Sequence, residues 1–154
     1  MKGTSTERFA IEDLPKVYAA IKHEAPKARI MVLGYPRLFP KGYRNPSGDP
    51  TKPESDCVFR VLGIAAGSID PADINWMNDI THELNEAIKA SATAAGVEYV
   101  DTYDAFAGHE QCSPNTPWIN GVVSRDRENP DAETLHPNAN GQKALTERLW
   151  TAMQ

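Results

Sequence analysis

Residues 28–36 read ARIMVLGYP, an apolar run from Ile30 to Leu33 stopped by Gly34 and Pro36. A run this short, built on Ile30, Val32 and Leu33, suits a buried strand of a parallel sheet. Its upstream neighbour is helical. Leu14, Val17, Tyr18 and Ile21 recur at i, i+3, i+4 and i+7, with Asp13 placed as an N-cap and Pro26 beyond the end. That spacing predicts a helix over about 13–24. Downstream, residues 36–57 read PRLFPKGYRNPSGDPTKPESDC, whose five prolines forbid regular structure. A loop of that length in a compact domain is commonly functional.

The same alternation then repeats. VFRVLGIAAG, 58–67, reads as a second short strand or an extended lead-in. Asp70-Pro71 is an N-cap followed by proline at the first helical position. Ile74, Met77, Thr81, Leu84 and Ile88 mark the inward stripe of a long helix, which Gly96 ends. VEYVDTYDAF, 97–106, holds the next strand, Val97 to about Asp101. A loop rich in Gly, Pro, Asn and Asp runs from Ala107 to Leu135. The last helix, about 139–153, puts Ala144, Leu145, Leu149 and Ala152 on one side.

Strands alternating with helices imply parallel strands joined by right-handed crossovers, in one α/β domain over residues 1–154. Ligands in such sheets bind beyond the carboxyl ends of the strands, where both long loops begin. Two or three strands make a small sheet, however, and a parallel sheet needs cover on both faces. A polar leader also runs directly into the first helix. The expectation is a domain without its first β-α units.

Bulk properties narrow the class. A net charge of -5 and a pI near 5.3 argue against nucleic acid or an anionic membrane surface as the main partner. A mean hydropathy of -0.51 is that of an ordinary soluble chain, and no apolar run approaches the roughly 20 residues of a membrane span. MKGTSTERFAIEDLP lacks the apolar core of a signal peptide, so the N-terminus taken alone reads as cytosolic. Cys57 and Cys112 have neither a redox nor a zinc-finger spacing.

Among residues that could carry chemistry, His136 stands first. It lies in LHPNANGQ, 135–142, with Pro137 fixing the backbone after it and Asn138 placed to cap the last helix. Glu133, three residues upstream, is within reach if the chain turns, and a carboxylate there would fix the tautomer and stabilise an imidazolium. A structural loop histidine is the bland alternative. His23 sits at a helix end, where a cation is favourable. His82 and Glu83 form HExxE rather than the HExxH of a metalloprotease, so a solvated helix face is expected, and no metal. A metal site from His82, Glu83 and Glu86 has no usual spacing behind it. His109, in FAGHEQC, reads as structural. None of Ser5, Ser47, Ser55, Ser68, Ser91, Ser113 and Ser124 has the tight strand-to-helix turn that exposes a nucleophile.

Four stretches together resemble the secreted SGNH (GDSL) lipases and esterases of the actinobacterial type. They are VLGYPRLFP at 32–40, INWMNDITHELNEAI at 74–88, GHEQCSPNTPWING at 108–121 and ETLHPNANGQ at 133–142. The resemblance covers nearly all of the chain from about Leu14. It implies a flavodoxin-like three-layer α/β/α sandwich and ester hydrolysis through an acyl-enzyme, with no cofactor. His136 would be the general base, oriented by Glu133 or, as in some similar enzymes, by a main-chain carbonyl. It also implies a disulfide between Cys57 and Cys112, hence an extracellular or periplasmic origin against the cytosolic look of the N-terminus.

The departure from the family is large. Its nucleophilic Ser and the Gly and Asn of its oxyanion hole belong to blocks that precede this region. No GDS occurs here, and the one ND, Asn78-Asp79, lies within the long helix. The expectation is a C-terminal portion of a serine esterase or lipase, acting on a small-molecule or lipid ester, inactive by itself and partnered by the N-terminal part. The alternative is a non-catalytic binding module derived from the same fold. Phe39, Tyr43 and the loop prolines would line an acyl pocket or cover the core, and Trp118 would pack beside the histidine or in the core.

Overall fold

The computed structural model describes residues 13–43, 57–61, 64–121 and 131–154. The elements, in chain order, are α1 (Leu14–Glu24), β1 (Met31–Leu33), β2 (Cys57–Val61), β3 (Ile64–Ile69), α2 (Pro71–Ala94), β4 (Glu98–Val100) and α3 (Ala139–Met153). The helix ends follow local chemistry. Asp70 accepts from the Ala72 and Asp73 amides at 2.7 and 3.0 Å, with Pro71 behind it. Asn138 does the same for Asn140 and Gly141 at the start of α3. Asp13 precedes α1 as expected, but its carboxylate takes Lys16 at 2.9 Å and makes no cap.

β1 and β4 pair in parallel, Met31 opposite Glu98 and Leu33 opposite Val100. Alternation along β4 turns Tyr99 toward α1 and α2, where it joins Tyr18, Ala92 and Val97 in a core. Glu98 and Val100 face the other way. On that side Phe106, Ile119 and Ala144 of α3 form a second core. The result is a three-layer α/β/α arrangement. Arg29, just before β1, bonds Glu98 at 2.7 Å and the carbonyls of Ala152 and Met153. α3 therefore ends at the amino ends of the strands and begins at their carboxyl ends.

The segment left open between strand and lead-in is an antiparallel hairpin, β2 with β3, separate from the parallel sheet. It starts from the disulfide between Cys57 and Cys112, which closes 55 residues with Cα atoms 5.6 Å apart. Cys57 is buried with Phe39 and Ile74 in a third core, so Phe39 covers the interior.

The inward stripe of α2 is wider and more polar than its apolar residues imply. Asn78 and Asn85 are buried on it. Asn78 donates to the Phe39 and Pro40 carbonyls. Asn85 donates to the Tyr35 carbonyl and accepts from its amide, both at 2.7 Å. In the loop after β1 these amides take main-chain groups of Tyr35, Phe39 and Pro40. Among the described residues, β1 has no strand on its other edge. A mostly apolar cleft of about 390 Å3 lies there, lined by Leu14, Tyr18, Val32, Leu33, Leu84 and Ile88.

Candidate active site

The carboxyl ends of β1 and β4 release two loops that hold one another. The Thr102 hydroxyl donates to the Gly34 carbonyl, and the Arg37 amide to the Tyr103 carbonyl at 3.0 Å. The Arg37 side chain pairs with Asp104 and reaches the Glu110 carboxylate through Nε at 2.9 Å and Nη2 at 2.5 Å. Glu110 is 1% exposed. Its second oxygen accepts from the Gly108 amide and the Ser113 hydroxyl, each at 2.7 Å. Burial alone would raise this carboxyl, but the Ser113 hydroxyl, its own backbone and Arg37 outweigh it and hold the group below the ordinary carboxylate range.

The turn that Glu110 closes leads into the segment bearing His136. Trp118 donates to the His109 carbonyl at 2.8 Å. Ile119 then pairs with Pro137 in an antiparallel bridge. The Asn120 amide reaches the His136 carbonyl, and the Asn138 amide the Trp118 carbonyl, both at 2.9 Å. The Asn138 side chain also donates to the Pro117 carbonyl at 2.9 Å while capping α3. α3 approaches closely because Gly141 has no side chain: a Cβ there would stand 2.4 Å from the Trp118 carbonyl oxygen. His136 is thus held before the amino end of α3, at the carboxyl edge of the sheet.

Its ring is oriented by the turn that precedes it. The Thr134 amide bonds the Asp131 carbonyl, the His136 amide bonds the Glu133 carbonyl at 3.1 Å, and Leu135 takes a left-handed φ of 57°. This returns the Thr134 carbonyl to within 2.9 Å of His136 Nδ1. A carbonyl only accepts, so Nδ1 donates in this contact and the neutral ring has its lone pair on Nε2. Of the two orienting groups foreseen, the main-chain carbonyl makes this contact. Glu133 is exposed, and its own carbonyl also accepts from Asn120 Nδ2 at 3.2 Å.

The remaining histidines separate clearly. His109 stacks on Trp118 with centroids 4.0 Å apart and planes 6° apart, and its Nδ1 meets the Thr116 carbonyl at 2.9 Å. The aromatic partner of Trp118 is therefore this histidine, and Phe106 lies edge-on to the same indole. His82 is exposed, 5.4 Å from the Tyr103 ring, and His23 is exposed beside Glu24. Among the described residues no group of three or more His, Cys, Asp or Glu could hold a metal, and no helix is long and apolar enough to cross a membrane. Ser113 serves Glu110 and Ser91 bonds the Ala87 carbonyl. Ser5, Ser47, Ser55 and Ser124 lie outside the described residues.

Sequence reading missed Arg37 and Glu110 as partners, since they stand 73 residues apart and neither sits on a periodic pattern. It also missed Thr134, whose contribution is its backbone.

Comparison with known proteins gives the family and the fold. Residues 1–144 match the model of the GDSL-like Lipase/Acylhydrolase family. Lipase 2 of Streptomyces coelicolor is 30% identical over 135 residues, which are 87% of this chain and 39% of that protein. A lipase of Streptomyces rimosus is 30% identical over 84% of this chain and 38% of its own length. The crystal structure of an extracellular lipase from Streptomyces rimosus superposes with a TM-score of 0.61 at 30% identity, covering 92% of this chain and 50% of that one. The crystal structure of phospholipase A1 from Streptomyces albidoflavus gives 0.68 at 25% identity, over 95% and 52%. The match spans less than two fifths of the length of Lipase 2 and of the first Streptomyces rimosus lipase, and about half of the two crystallised chains.

Proposed function

We infer the function from a plain premise: this chain belongs to the GDSL-like lipase/acylhydrolase family. Within it, His136 is the general base of a carboxylic ester hydrolase of SGNH type. The observation that carries this reading is the Nδ1 bond to the Thr134 carbonyl, which leaves Nε2 basic at the loop end of the sheet. Nε2 takes the proton of a serine hydroxyl as its oxygen attacks the ester carbonyl. The resulting imidazolium returns that proton to the leaving alcohol. Water then repeats the sequence on the acyl-enzyme and releases the acid and the serine. Glu133 holds the turn through its main chain, its carbonyl accepting from the His136 amide and Asn120 Nδ2.

The serine and the Gly and Asn donors of the oxyanion hole lie, in this reading, in the family's preceding blocks. The edge of β1 that is unpaired among the described residues, with its apolar cleft, is the surface that such a neighbouring strand would cover. The chain by itself is then inactive, and the complete enzyme is extracellular, as the disulfide and the extracellular Streptomyces rimosus lipase suggest. The substrate is a small-molecule or lipid ester. The assay is hydrolysis of p-nitrophenyl acyl esters by this chain alone and by a longer protein carrying the Ser, Gly and Asn blocks. Turnover is expected only in the longer protein. Full turnover there after His136→Ala sinks the base assignment, and turnover by the isolated chain sinks its incompleteness.

A further inference from the structure

A buried ion pair is weak evidence for stability, because desolvating both charges offsets most of their attraction. Arg37 and Glu110 invite another explanation. The Glu110 carboxylate collects Nε and Nη2 of Arg37 on one oxygen, and the Gly108 amide and Ser113 hydroxyl on the other. The turn so gathered holds two left-handed residues, Gly108 at φ 85° and Cys112 at φ 65°. The second has a Cβ, and a residue with one keeps such a conformation only where its surroundings impose it. From this turn the Gln111 side chain bonds the Ile119 carbonyl and the Gln111 amide the Leu38 carbonyl, while the His109 carbonyl takes the Trp118 amide. Residues 118–120 are in turn the strand on which His136–Asn138 is bridged.

We propose that Glu110, clamped by Arg37, is a positioning residue: it sets the 108–120 segment against which His136 is aligned, and so maintains the Thr134 bond that selects the base tautomer. The proposal deepens the reading of His136 as the base and rests on it. A charged hub with four donors has one satisfied geometry, whereas an apolar plug of equal volume would let the turn settle in several. Glu110 touches no reacting atom in this scheme. Its effect reaches the imidazole through main-chain hydrogen bonds.

The test is nitrogen-15 NMR of the histidine side chains in this chain, with His136 identified by the signal lost in His136→Ala. At a pH where the ring is neutral, the unmodified chain is expected to hold His136 mainly as the Nδ1–H tautomer. Glu110→Gln is expected to move the ratio toward Nε2–H by roughly threefold to tenfold, about the weight of one neutral hydrogen bond. Ser113→Ala removes one bond to the same carboxylate and should move it the same way by less. Circular dichroism identifies which variants are folded, and Ser113→Ala decides alone if Glu110→Gln does not fold. A folded variant of either kind with an unchanged ratio overturns the positioning role. An unmodified chain already showing the Nε2–H preference of a free imidazole overturns the base reading first, and the proposal with it.

Discussion

Two histidines in this molecule are anchored in the same way and are suited to different work. His109 and His136 each place Nδ1 2.9 Å from a main-chain carbonyl, of Thr116 and Thr134 respectively. In each, the carbonyl calls for a proton on Nδ1, so that the neutral ring carries its lone pair on Nε2. The difference lies in what the rest of the ring meets. One face of His109 is covered by the Trp118 indole, and its loop packs on the Phe106 core. His136 is exposed in front of α3, on a turn whose left-handed Leu135 presents it outward. An anchored imidazole is thus no mark of a base by itself. The anchor has to be joined to access and to a position at the carboxyl edge of the sheet.

The sharpest way to break this comparison is to remove each ring in a longer protein that holds the serine. His136→Ala is expected to lower kcat by roughly three orders of magnitude or more, the usual cost of losing the base of such a pair. His109→Ala should stay within about tenfold, its effect passing through the support of Trp118. Equal losses in the two variants, measured with p-nitrophenyl esters, would remove the distinction.

The next largest effect is expected where the two loops are tied covalently. Reducing Cys57–Cys112, or Cys57→Ser with Cys112→Ser, frees a closure of 55 residues worth about 4 kcal/mol in the chain-entropy model. For a chain of this size that lowers Tm by roughly 10 °C. Calorimetry with and without reductant checks it, and a shift of under about 2 °C would contradict it.

A finer test uses two glycines, Gly141 in the first turn of α3 and Gly121 just after the bridged segment. At Gly141 a methyl would meet the Trp118 carbonyl at 2.4 Å, whereas at Gly121 nothing lies within 4 Å. Gly141→Ala is expected to destabilise by about 1–3 kcal/mol despite the better helix propensity of alanine. Gly121→Ala should stay within about 0.5 kcal/mol. Urea unfolding separates the two.

The smallest effect concerns acid. Glu110 has its folded pKa lowered, so its contribution is complete above the unfolded value of about 4.3 and is lost as pH falls through the folded value. Stability should drop more steeply on acidification below that range in the natural chain than in Glu110→Gln. Parallel urea midpoints in the two proteins would show that the carboxylate carries no such linkage.

The legible part of the fold was the part written in local chemistry. The parallel strand Met31–Leu33, the Asp70-Pro71 start of α2 and the Asn138 cap of α3 each depend on a few neighbouring residues, and each formed where expected. Residues 58–67 were ambiguous because a short apolar run serves a lead-in or a strand equally, and only pairing of Phe59 with Gly67 makes it a hairpin. Phe39 and Trp118 were open between pocket and core for a related reason: an aromatic in a proline-rich loop carries no period to say which way it points. His136 was identifiable from its proline and its cap, and its relation to a family from four matched stretches.

Sequence alone therefore determined the alternation of helix and strand, the family and the cysteine pair that the family resemblance implied, and it singled out the histidine proposed as the base. Tertiary structure decided what holds that histidine. The Thr134 carbonyl, the bridge to Trp118–Asn120 and the Arg37–Glu110 pair are main-chain or long-range contacts. Side-chain identities at 37 and 110 reveal no pairing across 73 residues until the sheet brings both loops to one edge. A backbone carbonyl is common to every residue, so only the path of the chain can single one out.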